Sequence, residues 1–273
     1  MISRLKESSK RRLPNQALEP IANAPAQLHV IQTELPMDVT TWQFETGRYL
    51  SRLEELQPLV AVDPPHPDGI PHPPIEKPPS PLQSVIHRAV IFYEVGLWLR
   101  TRETTAGLVC LWKEGYLSAA GSLVRLLFEL WSACEYQTTA IKKFQEDGDL
   151  EKLRRTVDQL FEGVRDEVLL PWGTLASEKP IHVMDLIRHL SSVFPDAEGF
   201  YNELCESSHA NQPRFLEWWV IGRLGDNWTN LTVQKRGHVL LEKTVTAAEI
   251  AVRGTVGGAS IGLKQCGNLY LSV

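Results

Sequence analysis

The chain has 273 residues, of which 43% are hydrophobic and 22% charged, and 28 basic against 33 acidic residues leave a net charge of −5. That length can bury a sizeable core, and that composition excludes wholesale disorder. The acidic balance excludes a surface that coats nucleic acid everywhere, although a local basic patch remains compatible with it. Charges interrupt every long apolar run, so no membrane span is expected.

Residues 1–37 read as an irregular, solvated tail carrying Lys6, Lys10, Arg11 and Arg12. No apolar stretch follows that basic start, so no signal peptide is expected and the chain reads as cytoplasmic. Residues 38–57 have the pattern of a short amphipathic helix with Trp42, Tyr49, Leu53 and Leu56 on one side. Together these form an N-terminal segment, 1–57. Residues 58–81 then hold ten of the 18 prolines. Such a linker is expected to be extended and polyproline-like, either a strap over the protein's own surface or a spacer.

A helical domain is expected over 82–273. Ser80 as N-cap, Pro81 at the first helical position and Gln83 closing a capping box mark a helix start. The pattern runs to about Lys113, Gly115 breaks it, and a second helix spans about Leu117 to Asp147 before Gly148. The tight turn between them predicts an antiparallel hairpin. Asp149 caps a third helix with the stripe Leu150, Leu153, Val157, Leu160, Phe161, Val164 and Val168. Two shorter helices follow, about 181–193 and 196–208. Trp218 to Ile221 and Trp228 to Val233, around Gly225-Asp226-Asn227, suit a β-hairpin. A last helix over about 237–255 is expected to end at Gly257-Gly258. The predicted fold is all-α, a long antiparallel helix hairpin in a multi-helix bundle, with room for one small β-hairpin near 218–233.

The most informative stretch is 116–136, where Ser118, Ser122, Arg125, Glu129, Ser132 and Tyr136 recur at helical spacing among apolar neighbours. Buried charges persist only when paired or used. The line is therefore either a narrow solvated edge or the wall of a polar cleft. His87, Glu94, Thr101 and Thr105 share a face of the preceding helix, and the hairpin would set Thr101 and Thr105 opposite Glu129 and Arg125.

His209 follows a helix end beside Ser207, Ser208, Asn211 and Gln212. It is a helix-end cap or, with a side-chain pKa near neutrality, a general acid or base. Cys205 one turn earlier makes a Cys–His nucleophile pair geometrically possible. Cys110 and Cys134 lie in apolar helical sequence and read as reduced core thiols. Glu206-x-x-His209 has di-iron spacing without a second such motif, and His182 and His189 read as surface or core histidines. No glycine-rich phosphate loop, HExxH or GxSxG is present, and no metal or cofactor is expected.

Two stretches carry a resemblance. Residues 119–136, AAGSLVRLLFELWSACEY, resemble the small-small-x-x-Leu-x-Arg-x-x-x-Glu helix of a bacterial domain family of unknown function. That family's second hallmark, Tyr-x-x-Leu-x-x-x-x-His, is matched by Tyr201, Leu204 and His209, with Cys205 where the family usually has serine. The resemblance covers about 82–255. It implies a helical domain in which Arg125, Glu129, Tyr201 and His209 meet as one buried polar cluster. The implied fold is distantly similar to HEPN domains, found in toxins, abortive-infection systems and metal-free RNA-cutting nucleases. Those nucleases keep an arginine and a histidine within about two turns of one helix, a spacing this chain lacks.

The leading expectation is a binding or interaction role in a stress or phage-defence setting. A protein partner or a second copy would be met through Trp218-Trp219 or the proline strap. The alternative is a metal-independent ribonuclease. In it His209 is the general base, Arg125 stabilises phosphate, Glu129 orients Arg125, and Tyr201 and Ser208 contact RNA. A third reading is a small-molecule hydrolase or transferase using the same cleft.

Overall fold

In the computed structural model the described backbone covers residues 39–67, 69–70, 80–114, 116–161, 163, 168–169, 175–176, 179–208 and 230–272. Side chains are described for these except at 39–46, 117–118, 168–169, 175–176, 206–208 and 230–240. The architecture is an all-α bundle. Helix α1 (Val39–Glu54) leads through a turn into α2 (Gln57–Ala61). Tyr49, Leu53 and Leu56 are buried at the expected spacing. The first residues of the proline-rich stretch are helical, because Pro58 occupies the first turn of α2, where its missing N–H costs nothing.

The capping box forms as expected: Ser80 Oγ accepts from the Gln83 amide at 3.2 Å and Gln83 Oε1 from the Ser80 amide at 3.1 Å. Helix α3 (Pro81–Ile91) continues through a π-helical segment (Phe92–Leu99) into α4 (Arg100–Lys113). Gly96 belongs to that segment, and a Cβ there would lie 2.9 Å from the Phe92 ring. The π segment winds more slowly than an α-helix, so residues on either side of it no longer share one α-helical face. Helix α5 (Leu117–Asp147) returns antiparallel to α4 and ends on Gly148, whose φ of 71° is the left-handed cap.

Helix α6 (Leu150–Phe161) is capped by Asp149, whose Oδ1 accepts from the Lys152 amide at 3.0 Å. It is shorter than its stripe suggests. Val164 lies outside the described residues, and Val168 belongs to β1 (Val168–Leu169), which pairs antiparallel with β2 (Leu175–Ala176). At Gly163 a Cβ would collide with the Gln159 carbonyl and Pro180. Helices α7 (Val183–Leu190) and α8 (Ala197–Ser208) follow, and His182 is the N-cap of α7, its Nδ1 accepting from the Met184 amide at 3.2 Å.

Helix α9 (Asn230–Leu271) corrects two expectations. The second strand of the expected hairpin is helical over residues 230–233, and residues 218–229 lie outside those described. Asn230 to Arg236 contain no glycine or proline, and the weak strand preference of Thr and Val yields to helix continuation. Gly257-Gly258 do not end the helix. A Cβ at Gly254 would collide with the Trp131 indole, one at Gly258 would lie 2.9 Å from Cys134 Sγ, and one at Gly262 would collide with the Tyr93 ring. These glycines let α9 press against α5 and the π segment. Their match to residues 131 and 134 in the same order shows that α9 runs parallel to α5.

The described residues form two cores. One gathers α1, α2, α4, the first half of α5, α7, α8 and residues 241–252 of α9 around Leu127 and Phe128. The other joins α3, the π segment, the second half of α5, α6 and the end of α9 around Tyr93 and Cys134. Helix α1 belongs to the first core and is also tied to α9 by charge. Arg52 makes a bidentate pair with Glu249 at 2.9 and 2.7 Å and reaches Glu242 at 2.7 Å. Among the described residues, no helix is long and apolar enough to cross a membrane.

Candidate functional site

The site is built on the middle of α5. Trp131 fits over Gly254, and its ring packs against Phe128 and Phe194 at 5.9 and 5.6 Å between centroids. Phe200 then stacks on Phe128 at 6.2 Å and 13°. This aromatic cluster anchors the start of α8, so the next residue, Tyr201, reaches along α5 with its ring buried. Its hydroxyl donates to Glu129 Oε1 at 2.7 Å and accepts from Arg125 Nε at 3.2 Å. Arg125 Nε also donates to Glu129 Oε1 at 3.1 Å, and the guanidinium carbon sits 5.5 Å from the Tyr201 ring centre.

Arg125, Glu129 and Tyr201 therefore come together, but as a half-buried cluster and not a buried one. The Arg125 and Glu129 side chains keep 33% and 28% of their exposure. Along the polar line Ser122 is exposed and Ser132 fully buried, so the line slants from solvent into the core. Ser132 Oγ donates to the Glu129 carbonyl at 2.8 Å. His209 and the side chain of Ser208 lie outside the described residues.

The opposing line from the preceding helix does not join the cluster. Thr105 donates to the Thr101 carbonyl at 2.7 Å, and the buried Thr101 hydroxyl oxygen has no partner among the described residues. Glu94 pairs instead with His66 at 2.6 Å. Glu94 lies inside the π segment and Thr101 just beyond it, so the slower winding puts the two out of phase, and sequence spacing gave no sign of it.

The electrostatics point to a clip. Burial and the Glu129 carboxylate push the Tyr201 hydroxyl well above its ordinary value of 10.0, so it keeps its proton at neutral pH. For Arg125, burial opposes the charge and is the largest single influence, but Tyr201, Cys205 and Glu129 together outweigh it and the guanidinium is held more firmly protonated. Both Arg125 bonds use Nε, so its two terminal nitrogens make no hydrogen bond among the described residues. Such an arginine is oriented by its neighbours, and among the described residues nothing occupies the outer edge that could meet an anionic group.

The cysteines divide differently from the expectation. Cys134 is buried but Cys110 is exposed, because it falls on the outer face of α4. Burial pushes the Cys266 thiol up to about 12 and Cys134 higher still, as inert core thiols. Cys205 is half-buried. Among the described residues no three His, Cys, Asp or Glu side chains cluster as metal ligands. An open groove lies further along α5, between α6 and α7, lined by Tyr136, Thr139, Lys143, Lys152 and His189. Arg125, Glu129 and Tyr201 do not line it. The His189 ring meets Tyr136 edge-on at 5.1 Å, and its Nε2 lies 3.1 Å from Thr139 Oγ1.

Comparisons of the sequence with protein-family models and curated proteins, and of the structure with solved structures, find no match.

Proposed function

We propose that this chain is a cytoplasmic helical protein with a binding or interaction role, in which the Arg125–Glu129–Tyr201 clip holds α8 on α5 and presents the arginine edge to a partner. The supporting observation is the closed triangle of hydrogen bonds, with Tyr201 donating to Glu129 and accepting from Arg125. A carboxylate that accepts from both neighbours and a tyrosine that holds its proton are suited to positioning, and poorly suited to proton transfer at neutral pH. The stress or phage-defence setting rests on the sequence resemblance to a bacterial helical family, and through it to HEPN modules, by analogy of fold alone.

The metal-independent ribonuclease is the second reading, favoured by terminal nitrogens of Arg125 that make no hydrogen bond among the described residues. His209, directly after the last residue of α8, would be its general base. RNA cleavage by the purified protein in EDTA, wild type beside His209→Ala and Arg125→Ala, separates the two. The binding role predicts no cleavage and a lower melting temperature for Arg125→Ala. Metal-free cleavage that disappears in either variant without loss of heat stability would overturn it. Sedimentation over a range of concentrations then tests whether the partner is a second copy.

A further inference from the structure

The described residues 62–67, 69 and 70 of the proline-rich stretch run as a strap over the π segment. Their backbone has little to hold it: Pro64, Pro65 and Pro67 carry no N–H donor. Attachments among the described residues include these. The Trp98 indole donates to the Val62 carbonyl at 2.9 Å, Ile70 is buried in the second core, and Gly69 sits beside Leu271 at the end of α9. The remaining fastening is one imidazole. His66 Nδ1 lies 2.6 Å from Glu94 Oε1, and His66 Nε2 lies 2.9 Å from the Ile70 carbonyl oxygen.

A carbonyl oxygen and an ionised carboxylate only accept hydrogen bonds, so both ring nitrogens must donate, and only the imidazolium can do that. We propose that His66 is a pH-set clasp, its charged ring fastening the strap to the π segment and its deprotonation releasing the strap at Ile70. On losing one proton the ring keeps its N–H towards Glu94, since a charged acceptor makes the stronger bond. The lone pair of Nε2 then faces the lone pairs of the Ile70 carbonyl, and attraction becomes repulsion. Because Ile70 is the apolar anchor of the strap, loosening its carbonyl loosens its side chain.

Among the described residues, these charged groups lie beside the clasp. Glu94, from the π segment, touches the ring. Asp63 on the strap is 3.9 Å from Arg102 of α4, and its side chain is 96% exposed, so this pair fastens little. The end of α9 meets the strap through Leu271, which carries no charge. Burial opposes the charge on His66, but the Ile70 carbonyl and then Glu94 prevail, and the ring's pKa rises above its ordinary 6.5. The sign follows: the clasp is complete below the ordinary value and is lost as pH rises through the higher folded value.

The test is a titration of the full chain by NMR from about pH 5.5 to 9, following the His66 ring nitrogens, the Ile70 methyls and the Trp98 indole. His66 should titrate above 6.5, and the Ile70 and Trp98 signals should move with the same midpoint. Corrected for intrinsic exchange, protection of the Ile70 amide should fall about tenfold across that midpoint. Glu94→Gln should lower the midpoint, and His66→Gln should leave Ile70 indifferent to pH while Tyr93 signals report an intact core. A ring that titrates at or below the ordinary value overturns the clasp. So does an Ile70 environment unchanged through the His66 transition, or a strap response that survives in His66→Gln.

Discussion

Along α5, two neighbours are held by opposite means. At Trp131, Cys134 and Glu135 the neighbour is α9, which comes in over Gly254 and Gly258 until ring and sulfur rest where a side chain would have been. At Arg125 and Glu129 the neighbour is α8, held at the distance of one tyrosine hydroxyl. The first contact depends on the absence of atoms and tolerates no addition. The second depends on polar atoms that water can partly replace, since both charged side chains keep about a third of their exposure. Close packing should therefore carry more of the stability than the clip, and the clip more of whatever recognition occurs there.

The largest expected effect is at the glycine seam. Gly262→Ala puts a methyl into the buried Tyr93 ring. Overpacking should cost about 2–3 kcal/mol, outweighing the ~1 kcal/mol that alanine gains as a helix former. Thermal denaturation reads the difference, and unchanged or increased stability would mean that the seam is loose. Tyr201→Phe comes next. It removes the two hydrogen bonds of the Tyr201 hydroxyl, leaving Arg125 on Glu129 and the stacked aromatics in place, so a loss of about 1–2 kcal/mol is expected. Gly257→Ala should do the reverse of Gly262→Ala. Nothing lies within 4 Å of its Cβ position, so stability should rise by about 0.5–1 kcal/mol.

Glu129→Gln should cost less, about 0.5–1 kcal/mol, because the pair is half-exposed and the amide oxygen still accepts from Tyr201. A loss of several kcal/mol in denaturant titration would show the charge to be buried after all. The smallest effect is a pH dependence from His189. Burial lowers its pKa below the ordinary 6.5. The unfolded chain then binds the proton first, so this contribution to stability is present above the ordinary value and is lost as pH falls below it. His189→Gln should flatten that part of the stability profile.

Features with a local cause were legible in the sequence. The Ser80 capping box, the Gly148 stop, the Asp149 cap and the burial of Tyr49, Leu53 and Leu56 each depend on residues within about two turns, and all appear as read. The Arg125–Glu129 pair was legible for the same reason. Its link to Tyr201 had only the family resemblance to suggest it, because 72 positions separate Tyr201 from Glu129. The Arg52–Glu249 pair, across 197 positions, carried no signal at all. The continuation of α9 through its glycines was misread on principle, since glycine ends a helix that faces water and serves one that faces another helix. In hindsight, Gly254, Gly258 and Gly262 at four-residue spacing were the available clue.

The sequence by itself determined where most helices begin, which faces are apolar, and that an arginine and a glutamate would stand one turn apart on α5. These follow from propensity, capping and periodicity, which act over a few residues. Only the tertiary structure decided that the pair would be half-buried and closed by Tyr201, that the π segment would turn Glu94 away towards His66, and that glycines would bring α9 against α5. Those outcomes depend on which surfaces meet at what distance, and a distance between helices is a property of both partners that neither local sequence contains.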